Sequence, residues 1–305
     1  MNSNSDHWVN QSERGSALAL KFTRLIVKYC PLWLIKTVTF WVVVYFYLTS
    51  GKARTNILRY QQRLCRTFPG VGKLSVFRQF MAFGEALVDR FAVWQRKIRY
   101  IDLVADDSDH LYDDIRFKQK RGQILICSHF GNVEMCRAFA DKHVHFHLNV
   151  LIHSWQTEEF NKALEQAGAD KLALIQVENL NINVMLDLQQ RIENGEWIAI
   201  AADRTPIRGS KTQKVMFLGD QAEFPQGAWL LAALLKAPLN TVFCLKENGR
   251  YKIKLRRFLP AISGEGKERQ ANIIIAMQKY ADLLAQECAE NPLLWFNFYN
   301  FWNDN

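Results

Sequence analysis

The chain has no Cys-x-x-Cys pair, no G-x-x-x-x-G-K-[ST] loop and no G-x-G-x-x-G turn. Its six cysteines, Cys30, Cys65, Cys127, Cys136, Cys244 and Cys288, are scattered, which argues against a zinc cage or a disulfide framework and fits a reducing, cytosolic setting. Without either glycine-rich loop, nucleotide-driven kinases and nicotinamide enzymes are set aside. No cofactor and no metal is expected, so the chemistry must come from side chains or from an activated donor. Internal repeats and low-complexity tracts are also missing. Acidic residues are in deficit: 30 Asp+Glu stand against 39 Lys+Arg, a net charge of +9. That balance attracts anionic partners such as phospholipid headgroups, nucleic acid or an acidic protein, without choosing among them.

What is present begins with size. At 305 residues and 49% hydrophobic composition, the chain can bury a large core, and we expect one catalytic domain over 61–305 behind an N-terminal appendage over 1–60. Residues 1–16 are polar. The run from Pro31 to Leu48 is apolar and aromatic apart from Lys36 and two threonines, marginal against the ~20 residues a helical span needs. Trp33, Trp41, Tyr45 and Tyr47 suit a membrane interface, and Lys21, Arg24, Lys28, Lys52, Arg54 and Arg59 flank them as headgroup contacts. We read a membrane-associated helix, with a buried core helix as the alternative; spanning and lying flat are both open. The late start of the apolar run and the lack of a small-residue cleavage site argue against a cleavable signal peptide.

Between Lys73 and Lys97, apolar residues recur at three- and four-residue spacing, predicting an amphipathic helix. From Gln123 onward, short apolar runs alternate with helical patterns. QILICS, HFHLNVLI, KLALIQV, WIAIAA and KVMFLG read as strands, and helices are predicted near 132–142, 157–166, 183–194, 226–236 and 267–290. NTVFCLKEN and RYKIKLRRF meet at Asn248-Gly249, a strong hairpin signal. The alternation predicts an α/β domain with a central mixed sheet flanked by helices.

The chemistry points to His129-Phe-Gly-Asn-Val-Glu134, directly after the strand QILICS. The spacing alone is weak, since His153 and Glu158 share it. On a continuous helix five residues would set the side chains ~140° apart, so the pair works best with the His on a loop and the carboxylate on the element that follows. Gly131 permits unusual or close backbone geometry there, and Asn132 is a favoured helix N-cap. A neutral imidazole at His129 can act as general base, with Glu134 orienting the ring and stabilising the imidazolium. The helix start would offer N–H groups to an oxyanion. A structural histidine and an ordinary first-turn carboxylate are the bland alternative, and Cys127, on the same side of the strand as His129, is a conceivable nucleophile.

The phrase CSHFGNVE resembles the H-F-G-N-x-E block of the bacterial lipid A biosynthesis acyltransferases, which add secondary acyl chains to the glycolipid core of lipopolysaccharide. WIAIAADRTP, KVMFLGDQAEFPQGAWLLAALLKAPL and the closing PLLWFNFYNFW agree with that family in order and spacing. The resemblance implies a glycerolipid acyltransferase-like fold. It implies transfer of a fatty acyl group from acyl carrier protein to a hydroxyl of a membrane lipid, such as a lipid A precursor, at the cytoplasmic face of the inner membrane. His129 maps to the base and Glu134 to its partner, while Gly131, Asn132, Asp203 and Arg204 map to substrate-binding positions. Val133 stands where the family commonly has Trp, and Ala169, Asp170 and Lys171 occupy the region where a family arginine would be sought. Both departures bear on the acceptor more than on the chemistry, and other glycolipids are possible acceptors.

Other features are read more plainly. Arg208, Lys211 and Lys214 are a candidate anion contact, and Lys252, Lys254, Arg256 and Arg257 give a basic strand that phosphate headgroups would fit better than nucleic acid, since no recognition module accompanies it. Asn291-Pro292 suits the start of a helix, and the aromatic cluster after it, Trp295 to Trp302, favours core or membrane-surface packing over specific acyl-chain recognition. Two other readings are kept: an acyl-CoA-dependent glycerophospholipid acyltransferase, and a noncatalytic lipid-binding membrane protein.

Overall fold

The computed structural model describes residue 26 and residues 28–95, 97–99, 102–117, 121–136, 146–152, 172–176, 182–204, 211–247 and 249–303. The chain divides into two compact units, neither contiguous in sequence: residues 1–95, 214–223 and 278–305 form one, and residues 96–213 and 224–277 the other. The sequence positions expected for the site lie in the second.

The second unit is built on a seven-stranded mixed sheet among the described residues. Its strands are β1 (Leu103–Asp106), β2 (Ile124–Cys127), β3 (Leu148–Ile152), β4 (Leu172–Gln176), β5 (Trp197–Ala201), β8 (Leu239–Glu247) and β9 (Arg250–Leu259), in spatial order β1-β9-β8-β2-β5-β3-β4. β8, β2, β5, β3 and β4 run parallel, so their C-terminal ends share one edge, where α/β sheets hold ligands. β2 is buried along its whole length and β8 over its first seven residues, the near-continuous apolar run that a parallel sheet covered on both faces requires. Helices α4 (Leu111–Arg116), α5 (Ile182–Glu193) and α6 (Gly227–Leu235) flank it. Arg121 donates to the carbonyls of Leu235 and Lys236, satisfying the open end of α6.

β8 and β9 form the predicted hairpin, with Glu247 opposite Arg250 and Gly249 at φ 80°. The basic strand it introduces is engaged within the protein. Lys252 and Arg256 both reach Asp106, and Arg257 bonds Asp109 and Asp114. Burial pushes the Asp106 carboxyl up, but the two cations more than offset it and hold it below the usual carboxylate range. These three cations therefore tie β9 to β1 and α4, which corrects their reading as a headgroup face.

In the first unit, α1 (Leu32–Thr49), α2 (Gly51–Thr67) and α3 (Val76–Trp94) lie together with the chain's C-terminal segment. α3 is the amphipathic helix predicted over 73–97, and its N-cap Ser75 accepts from the Arg78 N–H. α1 buries Ile35 and Val43 and leaves Trp33, Phe40, Trp41, Tyr45 and Leu48 exposed. No single described helix is long and apolar enough to cross a membrane; α1 and α2 pass that test only as a pair, bent by 92°.

The stretch after Asn291 does not start a helix. α7 (Gly266–Glu290) ends there, and an irregular segment follows. Its backbone oxygens are taken by side chains: Tyr60 donates to Pro292, Gln79 to Trp295 and Asn56 to Phe298. Of the two packings expected, its rings take the core, with Trp295 edge-on to Tyr60 and Phe217 and Phe298 stacked on Phe80. Burial of these rings outweighs the local preference for a helical cap.

A short hairpin, β6 (Thr212–Phe217) and β7 (Asp220–Pro225), contains a strand the sequence pattern did not show. Its turn is Leu218-Gly219, both at positive φ; a leucine at a position that favours Asn or Asp hides the signal.

Substituting Trp295→Ala, a ring with no exposed surface, is expected to lower unfolding stability by ~3–5 kcal/mol. Trp33→Ala, on the 68% exposed ring, should shift it by less than ~0.5 kcal/mol. Urea denaturation of the two variants in detergent checks the contrast.

Candidate active site

β2 ends at Cys127 at the C-terminal edge of the sheet, and the chain then leaves the sheet at Ser128 and His129. It is clamped on both sides of this excursion. Ala202 N–H donates to the Cys127 carbonyl at 2.9 Å, and Asn132 N–H donates to the Cys244 carbonyl on β8 at 3.0 Å. Between the clamps Phe130 is fully buried, edge-on to Phe243, while the His129 side chain is 38% exposed. The anchored phenyl ring thus fixes a loop whose neighbouring imidazole faces outward.

Gly131 is required twice over. Its φ is 64°, and a Cβ built there would stand 1.8 Å from the Cys244 carbonyl oxygen, on backbone that cannot yield. The expected close approach is therefore to the protein's own strand, with Gly131 forming a bridge to Cys244. Asn132 is buried and precedes a short 3-10 turn, Val133–Met135. The helix predicted over 132–142 is described only as far as Cys136. Because Asn132 N–H is bound to Cys244, it is not available to an oxyanion. Glu134 lies on the turn, but its side chain is outside the described residues, as are His153, Glu158, Arg208 and the segment 169–171. Lys211 and Lys214 are exposed, Cys127 is buried in β2, and Arg204 is half-buried.

The contact that organises the site comes from the neighbouring strand. Asp203, two residues beyond β5 and with no exposed surface, places Oδ1 2.8 Å from His129 Nδ1 and accepts the His129 backbone N–H through Oδ2 at 2.9 Å. One carboxylate thus holds both the ring and the backbone of the same residue. Burial pushes Asp203 up, but His129 and the nearby Arg204 guanidinium outweigh it, and the carboxyl is held below its usual range. An ionised carboxylate only accepts hydrogen bonds, so Nδ1 must carry the proton, leaving the Nε2 lone pair as the basic site. The family resemblance maps Asp203 to a substrate-binding position instead. Its pairing with a residue 74 positions earlier had no local signal, although its place at a strand end beside β2 was visible.

A family profile described as bacterial lipid A biosynthesis acyltransferase matches residues 76–304. The chain belongs to this family. It is an acyltransferase acting on a lipid, and the matched range contains both the His129 loop and Asp203. Enzymes of this family are typically membrane-associated. No curated protein sequence matches the chain.

Two outcomes are expected at this candidate site. Gly131→Ala should cost several kcal/mol of stability or abolish soluble expression, since both φ and the Cβ contact oppose it; differential scanning fluorimetry reads it. For Asp203 the folded pKa lies below the unfolded value of ~3.9, so its stabilising contribution is complete above that value and is lost as pH falls through the folded one. The gap in thermal stability between wild type and Asp203→Asn should therefore narrow as pH falls below ~4.

Proposed function

We propose that the enzyme moves a fatty acyl group from the thioester of acyl carrier protein to a hydroxyl of a membrane glycolipid such as a lipid A precursor. His129 acts as general base. Its Nε2 takes the proton from the acceptor hydroxyl as that oxygen attacks the thioester carbonyl; the tetrahedral intermediate then collapses and the departing sulfur takes the proton back from Nε2. No enzyme nucleophile is needed, and Cys127 has no part in the scheme. The observation that carries this reading is the double contact of Asp203 with His129, which prepares a neutral imidazole with its base facing outward.

In this scheme the orienting role belongs to Asp203, which stabilises the imidazolium as it forms. Glu134, the second carboxylate of the H-F-G-N-x-E block, is assigned to the acceptor side from its place on the turn. Gly131 and Asn132 shape the loop, and Arg204 supports the charge of Asp203 and contributes to substrate binding. The net positive charge suits an acidic carrier protein and anionic lipid alike.

The proposed location is the cytoplasmic face of the inner membrane, with the outer face of α1 against the bilayer. Trp33, Trp41 and Tyr45 are exposed there, and amphipathic rings of this kind are favoured at headgroup depth.

His129→Ala and Asp203→Asn should each lower kcat by ~10²–10⁴-fold, measured as label transfer from acyl carrier protein into lipid extract. Full activity of His129→Ala would sink the general-base reading, and loss with Glu134→Gln but not Asp203→Asn would return the orienting role to Glu134. Acyl-CoA serving better than the carrier thioester would identify a coenzyme A-dependent enzyme. Trp33→Ser/Trp41→Ser/Tyr45→Ser should leave transfer to a detergent-dispersed acceptor intact and cut flotation with anionic vesicles by about tenfold or more; unchanged flotation would remove α1 as the membrane contact.

A further inference from the structure

Behind the His129 loop lie two thiols that the acyl-transfer scheme does not use. Cys136 Sγ, just past the Val133–Met135 turn, is 3.6 Å from Cys244 Sγ on β8. Cys244 is buried, whereas Cys136 is partly exposed. The carbonyl of the same Cys244 holds Asn132, and its backbone bridges Gly131. One residue of β8 therefore touches the segment that carries the Val133–Met135 turn just before the turn through the backbone and just after it through a thiol.

We propose that Cys136 and Cys244 are an oxidative modification site: a peroxide closes them to a disulfide that displaces the Val133–Met135 turn and slows acyl transfer. The Cys136 thiol is oxidised first to the sulfenic acid, with one peroxide oxygen transferred and one water released. The Cys244 sulfur then attacks the Cys136 sulfur; the S–S bond forms, the S–O bond breaks, and the hydroxyl leaves with the Cys244 proton as a second water. Overall two thiols lose two electrons and two protons to one peroxide.

The order follows from the surroundings. The hydrogen bond with Cys136 and burial push the Cys244 thiol well above its usual range, so it stays protonated until the sulfenic acid forms beside it. Closing the bond brings the sulfurs about 1.5 Å nearer. Cys244 lies in a long strand paired on one side with β9, opposite Ile253, so the movement falls on the short turn that carries Glu134. The effect on rate rests on the catalytic role proposed for this loop; the bond itself does not.

The test treats the purified full-length enzyme in detergent with hydrogen peroxide and maps it without reduction. Tryptic peptide 122–137 should appear joined to peptide 237–246, with fragment ions placing the bond at Cys136 and not Cys127. Transfer should fall by on the order of 10²-fold, the scale of a roughly 1 Å misplacement, and return with dithiothreitol. Cys136→Ser and Cys136→Ala should keep the reduced rate and lose the sensitivity. Absence of the 136–244 link, a link without loss of rate, or peroxide inactivation that persists in both variants overturns the proposal. If the reduced enzyme transfers no acyl group, the functional reading has failed separately, and hydrogen exchange over 131–136 decides the thiol pair: exchange altered by the link supports it, and unchanged exchange refutes it.

Discussion

The site depends on one buried charge. Asp203 has no exposed surface, and an isolated carboxylate in that position would cost several kcal/mol. It is tolerated because each oxygen has a partner on His129 and because Arg204 stands nearby. The same contacts that keep the carboxylate ionised dictate where the imidazole proton sits. Electrostatic necessity and the orientation of the imidazole are thus one arrangement. The parallel pairing of β2 with β5 makes it possible, since strands in that register deliver residues 74 positions apart to one edge.

The loop that presents His129 is held by strands on either side of β2. Ala202, just past β5, donates to the Cys127 carbonyl, β8 supplies the Cys244 carbonyl, and Phe130 is the hydrophobic anchor between them. The first four residues of the block each have a physical reason. The histidine faces outward, the phenylalanine fills the core, the glycine passes over a carbonyl that any side chain would strike, and the asparagine starts the turn. Cys244 extends this dependence to sulfur, because the strand residue that clamps the loop carries one thiol of a close pair.

A second economy concerns aromatics. The chain uses them in two ways that sequence composition does not separate. Trp295, Phe217 and Tyr60 are buried together in the unit that joins the N-terminal helices to the C-terminal segment, whereas Trp33, Trp41 and Tyr45 stand exposed along α1. The first group stabilises the fold; the second gives α1 an amphipathic outer surface suited to headgroups.

Much of this was legible without coordinates. Apolar runs and the Asn248-Gly249 turn located β2, β5, β8 and β9, the three- and four-residue spacing located α3, and the strand-to-glycine break located His129. These are local signals, carried by periodicity and by turn chemistry. The hairpin strand hidden behind Leu218-Gly219, the irregular path after Asn291, the neutralised cations of β9 and the partnership of His129 with Asp203 were decided only by tertiary structure. In each case the deciding partner is distant in the chain: Tyr60 for Pro292, Asp106 for Arg256, Asp203 for His129. Local sequence determines which residues can take part, but burial and strand register determine which of them meet.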